Sequence, residues 1–140
     1  MSKRIINWFT YGIGFALMPL LIYLLLHYLS NTQLEFYACV PELLFFTIMI
    51  CATCLWDLSD IKNKVGKDMV LNIFFSVLII LIVLCAILYG SVQFASISNN
   101  NLLSLNNKTC FFSLIIAMLS AILGTIIQVM ISRIEVELYE

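Results

Sequence analysis

Residues 69–94 read MVLNIFFSVLIILIVLCAILYGSVQF, twenty-six positions without one charged side chain. A helix needs about 20 apolar residues to cross the hydrocarbon of a bilayer, so this run spans it with length to spare for tilt. Three more stretches resemble it: about 7–29, 41–56 and 109–132. Across all 140 residues 63% are apolar and 11% charged, and the mean hydropathy is +1.07. A soluble domain of this size could not hide that much apolar surface, so the lipid bilayer must solvate most of it. The expected fold is all-α, a polytopic membrane protein with four transmembrane helices. Residues 1–140 form a single transmembrane domain, because only short loops are left between the spans and residues 133–140 make a short acidic tail.

Basic residues orient the spans, since Lys and Arg stay on the cytoplasmic side. Lys3 and Arg4 precede the first span, Lys62, Lys64 and Lys67 lie between the second and third, and Arg133 ends the fourth; Lys108 alone falls on the other face. Both termini are therefore expected in the cytoplasm. The first apolar run is too long for the h-region of a signal peptide and reads as an uncleaved anchor. Pro41 suits the first turn of span two, and Trp56 sits where an interfacial aromatic belongs. A formal charge of −1 gives no case for direct nucleic-acid binding.

Helices in lipid associate where small residues let backbones approach. Span four offers Ser113, Ala117, Ala121 and Thr125 at four-residue spacing, with Ser120 and Gly124 on the adjoining strip; span one offers Gly12 and Ala16, followed by Pro19, where a kink is expected. The stripe on span four either closes the bundle internally or mates with another copy. Span three has no such seam between Leu78 and Leu84 and is expected to face lipid.

Ionisable groups inside a membrane are functional candidates. His27 near the outer end of span one and Glu42 at the outer start of span two could meet across the intervening loop, with Gln93 arriving at the same level. They form either a polar membrane pair or a helix cap beside an interfacial histidine. At the inner end Asp57, Asn72, Gln128 and Arg133 make a second polar layer, in which an Asp57–Arg133 ion pair would tie spans two and four. Lys62, Lys64 and Lys67 in the inner loop and Glu135 and Glu137 in the tail are candidate docking residues for a cytosolic protein. From Ile134 to Leu138 apolar and acidic residues alternate, which suits a strand added to a partner's sheet, or span four simply continues as a helix.

Chemistry is sparse. Cys51 and Cys54 form a CxxC about 15 Å inside span two, where apolar burial makes thiols inert, so they read as small packing residues. Cys39 and Cys110, both near the outer edge, could form at most one disulfide. A single histidine cannot supply two axial haem ligands, and no HExxH, GxSxG or Walker sequence is present. Small four-span multidrug transporters carry a mid-membrane glutamate where this chain has Phe15 to Met18, and the Gly-Asn motif of small fluoride channels is missing. No catalytic, cofactor-binding or metal-binding residue is assigned; the chain is expected not to be an enzyme and to need no cofactor.

The four-span layout, and the Pro41-Glu42 opening of span two followed by Leu43 to Leu55 and Asp57, resemble the small membrane subunits of bacterial antiphage operons, most closely the KwaA family of the Kiwa system. That resemblance implies a homo-oligomer such as a tetramer in a bacterial inner membrane, sensing an infection event and anchoring a soluble DNA-binding partner. It assigns no site residues. The functional expectation is a non-enzymatic oligomeric sensor or scaffold that recruits a cytosolic partner; the alternative is a small channel or proton-linked transporter using His27 and Glu42.

Overall fold

The computed structural model describes residues 3–30, 39–65, 69–98 and 107–139, with side chains placed over 5–30, 39–65, 69–94 and 108–136. Within them the chain is all-helical: α1 Lys3–Asn7, a π-helical segment Trp8–Ile13, α2 Gly14–Leu29, α3 Val40–Val65, α4 Met69–Ser98 and α5 Asn107–Tyr139. Four helices are long and apolar enough to cross a membrane: Ile5–Leu29, Val40–Val65, Met69–Phe94 and Lys108–Val136. The first unites α1, the π segment and α2. Pro41 lies in the first turn of α3, where its missing N–H costs nothing, and Trp56 is largely exposed.

Span two is the hub. Helices α4 and α5 flank α3 along its length, and span one packs on α3 and, through α1, on α5. One buried line of α3 is Val40, Leu44, Thr47, Cys51, Cys54, Leu58 and Ile61, stepping alternately by four and three residues, with Phe46 and Ile50 buried beside it. Leu71, Leu78, Cys85 and Val92 of α4 recur every seven and are buried against it. A seven-residue seam keeps one face toward a neighbour, as in left-handed helix pairs crossing at about 20°.

On α5 the buried line is Ser113, Ala117, Ser120, Gly124, Ile127 and Ile131. Ala121 and Thr125 are only half-buried. Their four-residue spacing is the reason: each step of four overshoots a 3.6-residue turn by about 40°, so a stripe begun at Ser113 has rotated some 120° off the seam by Thr125. The small-residue stripe is spent on internal packing down to Ala117, and Ser120 and Gly124 then continue it. Hydroxyls on these faces close on their own helices: Ser113 Oγ donates to the Cys110 carbonyl (2.9 Å), Ser120 Oγ to Ala117 (2.8 Å) and Thr47 Oγ1 to Leu43 (3.0 Å). They can therefore pack as small residues inside the bundle.

One expectation changes, and one open alternative is decided. Backbone irregularity in span one falls at Trp8–Ile13, ahead of Pro19, and α2 runs unbroken through the proline. Residues after Arg133 are not strand-like: α5 continues to Tyr139, so the residues read as an acidic tail form its last turns. Ile134 still packs against the core there, which gives the helix a reason to continue.

Candidate functional site

Trp8 decides how span one joins the bundle. Little of that span is buried apart from Trp8 and Ala16, yet Trp8 is only 5% exposed. The π turn rotates its indole inward, and Thr10 Oγ1 donates to the Ile6 carbonyl at 2.9 Å as the turn begins. Two glycines make the room. A Cβ on Gly124 of α5 would stand 2.8 Å from Trp8 Cζ2 and 3.1 Å from Cys54 Sγ; one on Gly12, four residues along the same span, would stand 3.0 Å from Trp8 Cδ1. The indole is thus clamped between Gly12 and Gly124 against α3. Its nitrogen is buried, and the polarizable Cys54 sulfur packed beside the ring is the weak acceptor it faces. Single-turn π segments concentrate at functional sites.

Beside the indole opens a cleft of about 420 Å³ at the end of the bundle that carries both chain ends. Span one contributes Asn7, Tyr11 and Gly12, α3 contributes Thr53 and Asp57, and α5 contributes Gln128 and Glu135. Gln128 is almost fully buried and donates from Nε2 to Asp57 Oδ2 at 2.5 Å. That bond ties α3 to α5 in place of the expected Asp57–Arg133 pair; the Arg133 side chain is exposed. Two carboxylates, an amide and aromatic rings suit the recognition of a basic or hydrogen-bond-donating side chain. Sequence reading placed Asp57 and Gln128 in one polar layer and Glu135 among the docking residues, and missed Trp8, which lines the cleft with them. The available signal was a tryptophan followed four residues later by glycine on the same helix face.

At the opposite end His27 and Gln93 each contact a tyrosine of their own helix. The His27 ring stacks on Tyr23 (centroids 5.5 Å apart), and Gln93 Nε2 reaches Tyr89 Oη at 3.4 Å. Glu42 lies in the first turn of α3 with Oε2 buried and without a hydrogen-bond partner. No hydrogen bond or ion pair joins it to His27 among the described residues. All five cysteines are free thiols, and all are buried. Burial, chiefly, pushes the Cys39 thiol above its usual range, with Glu42 and Cys110 acting in the same direction. Cys51 and Cys54 sit in the central seam.

The docking lysines are engaged within the bundle's end: Lys62 Nζ lies over the Phe75 ring, 4.9 Å from its centroid, and Lys64 pairs with Asp60 at 2.7 Å. Lys67 lies outside the described residues. Glu135 faces the cleft, and Glu137 belongs to the last turns of α5. Of the proposed packing residues, Ala16, Ser113, Ala117 and Gly124 are buried, whereas Gly12, Ala121 and Thr125 are half-buried. Among the described residues no group of three His, Cys, Asp or Glu side chains could hold a metal ion. No protein family, curated protein or solved structure matches the chain.

Proposed function

We propose that the chain is a non-enzymatic, oligomeric scaffold or sensor of a bacterial inner membrane, with both termini in the cytoplasm, that recruits a cytosolic protein, in antiphage defence by its layout. The observation that carries this reading is the polar cleft beside Trp8, at the end where α3 and α5 run past their apolar stretches as helices. It joins three spans, so a partner that inserts a basic side chain between Asp57 and Glu135 touches the whole bundle at once. A signal that moves span one would reach the cleft through the Trp8 clamp. Between the two polar layers the core is Ile50, Cys51, Leu78 and Ala117, which supports a scaffold over a pore within one copy.

Co-purification with the soluble product of an adjoining gene tests this. Asp57→Asn and Glu135→Gln should reduce capture by about tenfold or more while expression is kept, since charge-assisted contacts dominate such recognition. Unchanged capture by the double variant would remove the cleft from the account. A small channel or proton-linked transporter using His27 and Glu42 is the second reading, favoured by the buried, unpartnered Glu42 oxygen. Ion flux into liposomes that is lost in Glu42→Gln would establish it instead.

A further inference from the structure

Two positions of span one are buried, Trp8 and Ala16, and Ile13 packs against the core between them. They are eight residues apart, which in a straight α-helix sets them about 80° apart around the axis, too far to share one line. The π segment Trp8–Ile13 removes that difference. A single π turn holds one residue more than an α turn, so Trp8 stands where position 9 of a straight helix would stand, about 20° from the line of Ala16. The residue that a straight helix puts in the same seat is Phe9.

Phe9 waits beside that seat, 46% exposed, its ring edge-on to the indole with centroids 5.2 Å apart. Were the segment to relax into the α register, each residue ahead of it would take the place its predecessor holds now, a turn of about 100° with a shift of about 1.5 Å. The sequence fits both settings. Phe9 would replace Trp8, and the exposed Ile6 would replace the half-buried Ile5, so each inward place receives a side chain of the same kind. The energies also oppose each other: the indole fills more of the seat but buries its N–H against a weak thiol acceptor, whereas the phenyl ring is smaller, carries no polar atom and comes with regular α-helical hydrogen bonds. On the cleft side the exchange is unlike. Trp8 would take the place of Asn7, which lines the cleft with Tyr11, Asp57 and Glu135, and there the indole covers the opening with carboxylates in front of its N–H.

We propose that the π segment is a register switch that opens and closes the cleft: with Trp8 seated the cleft is open, and with Phe9 seated Trp8 lies over it and closes it. The basic side chain of a partner competes with the indole for Asp57 and Glu135, so docking holds the open setting, and a force on the start of span one that straightens the helix releases the partner. This rests on the reading of the cleft as the docking site and names how docking is regulated.

The test uses the full chain with Trp56→Phe, in bilayers of brominated lipid, which quenches an indole that faces the acyl chains. Trp8 should be shielded, and Phe15→Trp combined with Trp8→Phe, at a position 62% exposed, gives the lipid-facing reference. Exchanging the two rings, Trp8→Phe with Phe9→Trp, leaves composition and length unchanged. The larger ring should keep the seat by shifting the register, so the indole at position 9 should be as shielded as Trp8 was. The five native thiols are buried, so Thr53→Cys on the cleft wall reports its opening to a water-soluble maleimide. Its labelling should fall about tenfold in the exchanged chain, as it would when the closed setting outweighs the open one by that ratio. Deletion of Thr10 leaves no residue for the π turn and should expose Trp8 to aqueous acrylamide; if the shortened chain does not insert, the exchanged chain is read alone. An indole at position 9 quenched like the Phe15→Trp reference overturns the switch and leaves the docking site standing, because docking is read separately by Asp57→Asn and Glu135→Gln. A shielded indole with unchanged labelling of Thr53→Cys overturns the control of the cleft.

Discussion

Trp8 drew no assignment from the sequence and is a core residue in the structure, and its seat is made by two hydrogen atoms, the side chains of Gly12 and Gly124. Adding a methyl at Gly124 places carbon 2.8 Å from the indole and 3.1 Å from the Cys54 sulfur, so the ring must leave its seat. Gly124→Ala should therefore destabilise the protein by about 1–3 kcal/mol, the usual cost of overpacking. Gly14→Ala, whose added Cβ meets nothing within 4 Å, should be neutral or mildly stabilising, because alanine is the better helix former. Thermal melts of the two variants in the same detergent decide the matter; equal melts would mean that the clamp is absent. Asp57, Gln128 and Glu135 were visible in the sequence as polar residues in or beside apolar spans. That they meet at one cleft was not, because Asp57 on α3 reaches Gln128 and Glu135 on α5 only through the mutual rotation of those two helices, which no hydrophobic periodicity reports.

At the scale of the element, the four spans could be read from length and hydropathy alone, since the bilayer fixes how many apolar residues a helix must have. Which face of each helix is buried was harder to read. In a helix apolar on all sides the only guide is residue size, and size at four-residue spacing drifts off a seam that repeats every seven. The distinction gives a prediction on α5. Ala117→Leu, at a buried position, should cost about 1–3 kcal/mol, and Ala121→Leu, half-buried four residues later, markedly less. If the two are equally tolerated in extraction and melting, the seam assigned to α5 is wrong. The segment after Arg133 teaches a related lesson. Its alternation of apolar and acidic residues fits a strand, but a helix already formed gains one hydrogen bond for each residue added, so continuation needs no nucleus. Ile134 and Glu135 then fall toward the core and the cleft, where an extended segment would not place them.

Seen whole, the molecule is a hub helix with three neighbours, polar at both ends and apolar between, and the proposed function depends on which end faces the cytoplasm. The proposed orientation, argued from the charge pattern, puts the cleft, the helix ends of α3 and α5, and both termini on that side, where Lys and Arg are retained. A reporter enzyme that is active only outside the cytoplasm, fused in turn after Asn100 and after Glu140, tests this most directly. The account predicts activity from the Asn100 fusion and none from the Glu140 fusion. Activity from Glu140 and none from Asn100 would place the cleft outside the cell, beyond the reach of any cytosolic partner, and contradict the account.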